Sequence, residues 1–334
     1  MAVPGRIIAD TLTLGASLHS VRCPDAEGHF ADVVLSPPQL ADKLGSARYF
    51  GATIGRYANR IARGRLPTEH GTVHLTANER GNTLHGGPEG FDARLWSARP
   101  TRAGHRAGVE FELISPDGDQ GFPGTLRTTV TYTVDDAGEL RIDYAATCDR
   151  LTAVNLTNHT YWNLAGGADD TVLDHDLRVA ADHYTPVDAE LIPLPGPPRP
   201  VRGTAFDLTE PRRLRDVVDT ADEQIRLAGG GYDHNWVLRR SGHDAPELAA
   251  VLRHSGSGRR LECLTTEPGL QIYTGNLFSG DSDPSVFSPV RHGGVAIETQ
   301  HFPDSPRRSD YPATWLPPGV GYRSTTVFRF STET

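Results

Sequence analysis

An all-β fold, a large antiparallel β-sandwich with few short helices, is predicted by three features of the sequence. Short stretches of alternating apolar and polar residues recur along the chain. Turn-forming clusters separate them, in a chain with 35 glycines and 25 prolines among 334 residues. Long amphipathic helical patterns are missing, which leaves packed sheets to bury the 37% of residues that are hydrophobic. No shift in composition marks a boundary, so a single domain over residues 1–334 is expected.

The elements follow in order. Leu12, Leu14, Ala16 and Leu18 keep phase within Ile7–Val21, which reads as one or two opening strands. Asp32-Val33-Val34-Leu35 is a further short strand, ended by Ser36-Pro37-Pro38. Gln39–Leu44 predicts about one helical turn, and Asp216–Leu227 is the other helical or irregular stretch. The clearest hairpin alternates through Leu126, Thr128, Val130, Tyr132 and Val134. It turns at Asp135-Asp136-Ala137-Gly138 and resumes through Leu140, Ile142, Tyr144 and Ala146. Shorter runs appear at Trp236–Arg239, Ala249–His254, Arg260–Thr265 and Tyr322–Phe330. Proline-dense Leu191–Pro200 reads as a surface loop.

Composition excludes several functions. A net charge of −9 and a pI of about 5.8 disfavour nucleic acid and anionic membrane as partners. Lys43 is the only lysine, so a Schiff-base mechanism has one candidate nucleophile. Three widely spaced cysteines argue against a disulfide framework and a cysteine zinc site. Neither a basic-then-apolar leader nor an apolar run near the roughly 20 residues of a membrane span is found. A soluble cytoplasmic protein is expected, as a monomer or homodimer.

Asn158-His159-Thr160-Tyr161-Trp162-Asn163-Leu164 concentrates amides, a histidine, a hydroxyl and aromatics. Read as one extended segment, it puts His159, Tyr161 and Asn163 on one face and Thr160, Trp162 and Leu164 on the other. The first face suggests a pocket floor able to transfer protons; a satisfied core histidine with capping asparagines is the plainer alternative. Gly51–Ile61 ends in Asn59-Arg60, which could hold a polyol; without a lysine it is no phosphate loop. In Asn82-Thr83-Leu84-His85-Gly86-Gly87, glycines let the backbone approach a ligand. Asp233, in a loop entering the strand at Trp236, could accept bonds from sugar hydroxyls, or simply make an Asx turn. Gln271 lies on a strand with Tyr273, and Glu267, ahead of a proline, reads as structural. Glu298 follows an apolar strand start, Gly294–Ile297. Burial there would raise its pKa and make it a base near neutral pH, whereas an outward-facing glutamate would be inert.

Fourteen histidines include no HExxH and no His-x-His, so no metal site is expected. A Ser-His-Asp triad lacks its GxSxG elbow, and a matched second acid for glycoside hydrolysis is not evident.

Six of these stretches, in this order, resemble the aldose 1-epimerase (galactose mutarotase) family. They are Gly51–Ile61, Asn82–Gly87, Asn155–Leu164, Gly231–Leu238, Glu267–Asn276 and Glu298–Pro306, within a match from Asp32 to about Pro312. The resemblance implies a galactose mutarotase-like supersandwich acting on a small-molecule sugar, with no cofactor and no metal. By motif it implies His159 as general acid and Glu298 as general base, with Asn59, Arg60, His85, Asp233 and Gln271 lining the sugar site. Tyr161 and Trp162 would fix the neighbouring wall. Departures from the pattern fall at Leu66–Glu69, Leu191–Gly196 and Ser305–Arg308, expected rim loops. They leave room for a modified sugar or other cyclic hemiacetal as substrate; a non-catalytic sugar-binding protein is the remaining alternative.

Overall fold

A computed structural model describes residues 1–104, 106–167, 170–280 and 287–333. Strands dominate, and every ladder among the named strands is antiparallel. Two sheets form the body. The larger has nine strands and the smaller six; a four-stranded sheet is built from the first 32 residues.

The predicted hairpin is the centre of the large sheet. Leu126–Val134 pairs with Glu139–Cys148, and in both strands alternate side chains are buried. Glu139–Cys148 pairs in turn with Tyr322–Thr332, so the chain's end lies beside its middle. The six-stranded sheet runs Tyr161–Trp162, Val295–Gln300, Gly269–Tyr273, Asp233–Leu238, Ala181–Thr185, Arg199–Pro200. Every residue of Val295–Gln300 is buried. One face of this sheet packs on the large sheet: the Trp162 and Phe328 rings lie 4.9 Å apart, and the Thr299 and Thr326 hydroxyls meet at 2.5 Å. The other face is left for loops and the cavity below.

Several expectations need adjustment. Ile7–Leu12 and Ser17–Pro24 are the opening strands, but the next strand is Phe30–Asp32, and Val34 makes only an isolated bridge to Trp162. Asn158–Leu164 is not one extended segment. Thr157–Asn158 pairs with Thr53–Ile54, the chain turns, and Tyr161–Trp162 joins the other sheet. Asp233 begins its strand rather than preceding it. Leu40–Leu44 is a 3₁₀ turn, and Glu223–Leu227 is a helix whose first amides, those of Gln224 and Ile225, donate to the Asp222 carboxylate. Ser97–Ala103 and Arg106–Ser115 pair as strands although their composition hides it. Ser97–Ala103 is the edge strand, where Pro100 needs no ladder partner on its outer side.

A largely buried ion pair at the end of the six-stranded sheet is tied to the large sheet through Tyr322. Glu267, ahead of the Gly269–Tyr273 strand, meets His301 Nδ1 at 2.6 Å, and Tyr322 of the large sheet donates to the same carboxylate at 2.9 Å. Burial alone would raise the Glu267 pKa, but the His301 charge and these hydrogen bonds hold it low. Burial opposes the His301 charge too, and Glu267 raises its pKa regardless. The pair therefore adds stability above the folded Glu267 pKa and below the folded His301 pKa. His301→Ala should cost about 3 kcal/mol at neutral pH, since Glu267 is left uncompensated. Urea unfolding should show that difference narrowing at alkaline pH, as wild-type His301 loses its proton.

Candidate active site

The free face of the six-stranded sheet floors a cavity of about 420 Å³. Asn59, Arg60, His85, His159, Asp233 and Glu298 all reach it. Cross-strand register explains the convergence. Asp233 is opposite Tyr273, Tyr273 opposite Ala296, and Ala296 opposite Tyr161. Two residues along, Asn235, Gln271 and Glu298 form the next row. Period-2 alternation puts both rows on one face.

Glu298 is 2% exposed and His159 5%. His159 Nε2 lies 3.6 Å from Glu298 Oε1. Burial, with the Asp233 charge nearby, pushes the Glu298 carboxyl well above the usual range, while Arg60 pulls it back. Burial also lowers the His159 pKa to about 4. Burial thus disfavours the charged form of each group, the kind of environmental tuning an acid–base site relies on.

Backbone contacts fix His159. Its carbonyl accepts from Gly51 N–H and its N–H donates to Ala52 O, both at 2.9 Å. Gly51 has φ +70°, and a Cβ there would lie 1.9 Å from Leu18 O, so only glycine allows the approach. Asn158 clamps the turn: Nδ2 donates to Gly51 O at 2.8 Å, and Oδ1 accepts from Thr160 N–H at 3.1 Å. Asn155 joins two other site segments, donating to Ala58 O and His301 O at 3.2 Å. Asn163 donates to Gly293 O at 2.9 Å and does not line the cavity. The amides that stood out in the sequence are thus brackets rather than sugar ligands. Trp162 also points away, into the core, while Tyr161 stays at the wall.

Pairing of Arg60–Ile61 with Thr83–Leu84 sets His85 against Asn59. Both lie in the left-handed region, with φ 53° and 65°. Asn59 N–H donates to His85 Nδ1 at 3.1 Å. Burial and the neighbouring His159 and arginine charges keep His85 neutral. Its remaining proton is therefore on Nε2, which makes it a hydrogen-bond donor. Arg60 makes a fork to Glu79, at 3.0 and 3.1 Å, and lies 3.8 Å from Asp233. Gln271 stands behind the wall, with Nε2 donating to Asp233 Oδ1 at 2.6 Å. It reaches the cavity through Asp233.

One nitrogen or oxygen each of His85, His159 and Glu298 lie within 4.8 Å of one another, a spacing open to metal ligation. The His85 tautomer opposes it: Nδ1 is engaged by Asn59, and Nε2 carries the proton. The set fits a hydrogen-bonding, proton-transferring site better than a metal centre.

Tyr49 and Glu79 escaped the sequence reading because no local pattern marks them. The Tyr49 ring packs 4.9 Å from His85, under the Arg48 guanidinium that Asp92 holds at 2.6 Å. The departures from the family pattern divide. Leu191 lines the rim, and Arg308 anchors its loop by donating to Leu194 O and Gly196 O at 3.0 and 2.8 Å. Arg65–Thr68 instead pairs with Gly71–His74 as a hairpin beyond the cavity lining.

Comparison with known proteins shows the family and agrees with the fold. The family model described as aldose 1-epimerase matches residues 4–329. A mouse galactose mutarotase is 42% identical over 329 residues, covering 98% of this chain and 92% of that protein. An aldose 1-epimerase of Escherichia coli K12 is 38% identical, covering 98% and 93%. The structure of a galactose 1-epimerase from Lactobacillus acidophilus superposes with a TM-score of 0.87 at 29% identity, covering 100% of this chain and 93% of that one.

Histidine NMR tests the electrostatics. The His159 ring should stay neutral until the pH falls to about 4, while His301 keeps its proton above the ordinary histidine range. A His159 midpoint at or above 6.5 would contradict the burial argument.

Proposed function

The chain belongs to the aldose 1-epimerase family, and we propose that His159 and Glu298 carry its reaction, the interconversion of α and β anomers of hexoses such as glucose and galactose. The observation that supports this most directly is the buried acid–base pair, 3.6 Å apart on the cavity floor. The enzyme is an isomerase, so the protein ends the cycle as it began.

The form of the pair that reacts is the one with the proton on His159 and with Glu298 ionised: Glu298 then takes the proton from the C1 hydroxyl while His159 gives its own to the ring oxygen. The C1–O5 bond breaks and C1 becomes an aldehyde carbon. Rotation about C1–C2 presents the other carbonyl face. O5 then adds back, returning its proton to His159, and Glu298 reprotonates O1. Each transfer is worth about 10²–10⁴-fold. His85 Nε2–H and Arg60 donate to oxygens on which negative charge develops. Asp233, oriented by Gln271, accepts from ring hydroxyls, and the Asn59 carboxamide supplies a further polar contact. None of these steps calls for a cofactor.

This reading extends to the whole chain, residues 1–334, as one domain. Cys23, Cys148 and Cys263 are free thiols, which favours the reducing cytoplasm. Among the described residues no helix is long and apolar enough to cross a membrane. A monomer or homodimer suffices, since the residues named for the reaction come from one chain.

Polarimetry of freshly dissolved α-D-glucose and α-D-galactose tests the roles. Glu298→Gln should keep sugar binding, measured by calorimetry, and lose about 10²-fold or more in turnover. Wild-type turnover in that variant would refute the base assignment. His85→Phe, which removes the donor, should lower kcat about tenfold or more with the same assay.

A further inference from the structure

The sheet face that carries Glu298 continues past the cavity. One row beyond Asn235, Gln271 and Glu298, the partners across the same strands are Val237, Gly269 and Gln300. Asn235 and Gln300 thus project on the side of Glu298, and the missing side chain of Gly269 leaves space among them. A Cβ on Gly269 would lie 2.5 Å from Asn235 Oδ1, so the Asn235 carboxamide leans over that glycine toward the strand of Gln300. Neither residue lines the cavity.

Asn235 is 1% exposed, Gln300 0%, and Gln271 and Glu298 2% each. Both polar atoms of the Asn235 and Gln300 side chains lack a hydrogen-bond partner among the described residues; so do Gln271 Oε1 and Glu298 Oε2. A buried donor or acceptor left unmet costs about 1–3 kcal/mol, and buried polar groups are almost always met by protein or by ordered water. The cluster mixes amide donors with carbonyl and carboxylate acceptors, which suits a bridging water that makes 2–4 bonds.

We propose that Asn235 and Gln300 hold ordered water behind Glu298, with a water proton donated to Glu298 Oε2, and that they act as positioning residues for the base. The proposal rests on the reading of Glu298 as the base. Its consequence is electrostatic. Burial and Asp233 disfavour the ionised carboxylate. A donor on Oε2 favours it, orients the free Oε1 toward His159, and makes the base available at neutral pH.

The test is the pH dependence of kcat in Gln300→Met, which keeps side-chain length and removes both polar atoms. Its acid limb should move up by about one pH unit, a tenfold loss at pH below the limb, with KM for glucose within about twofold and activity recovered at higher pH. A merely structural role would lower kcat equally at every pH. Asn235→Asp is nearly isosteric, replaces a donor by an acceptor, and should move the limb the same way. Unmoved limbs in folded variants would overturn the proposal. A high-resolution crystal structure of the wild type is independent of variant folding. Water between Gln300 and Glu298 Oε2 supports the proposal; direct pairing of Asn235 with Gln300, with protein alone on Oε2, overturns it. If Glu298→Gln abolishes turnover and the limb in Gln300→Met stays put, only this inference fails. If Glu298→Gln is fully active, the base reading fails first.

Discussion

The roles proposed for His159 and Glu298 depend on keeping the two groups dry and 3.6 Å apart. Water would level both pKa values toward their ordinary figures and undo the tuning that burial supplies. Burial is arranged by the fold itself. Val295–Gln300 is covered on both faces, so Glu298 cannot reach solvent except through the cavity. The cost of burying a carboxylate is then offset in part by the charge of Arg60.

Holding that geometry takes more residues than the chemistry does. His159 sits on a turn between two sheets, fixed through Gly51, Ala52 and Asn158. Asn155 ties the Asn59 segment to the strand end after Glu298. Across the sandwich interior, Trp162 against Phe328 and Glu267 with His301 and Tyr322 keep the site sheet in register with the large sheet. Such brackets rather than the reacting groups explain why so many asparagines cluster near the histidine.

Much of this was legible in the sequence where one physical rule dominated. The Leu126–Ala146 hairpin follows period-2 burial, and the structure keeps it. The residues the resemblance named line the cavity, apart from Gln271, which lies behind Asp233, and Trp162, which points into the core. Where tertiary pairing decides, the sequence was mute. The turn inside Asn158–Leu164 exists because two different sheets compete for its ends, and alternation alone cannot show that. Ser97–Ala103 looks like a loop because an edge strand tolerates arginine and proline. Tyr49 and Glu79 enter the site through contacts with His85 and Arg60, residues that are distant in the chain.

The most direct test of the account is a double-mutant cycle on mutarotation. The rates compared are those of wild type, His159→Gln, Glu298→Gln and the double variant. If the two groups pass protons within one concerted site, removing either should cost nearly as much as removing both. The double variant should then be no more than a few-fold slower than the worse single one. Losses that multiply through the cycle would mean that the two residues act independently, and would contradict the concerted acid–base account.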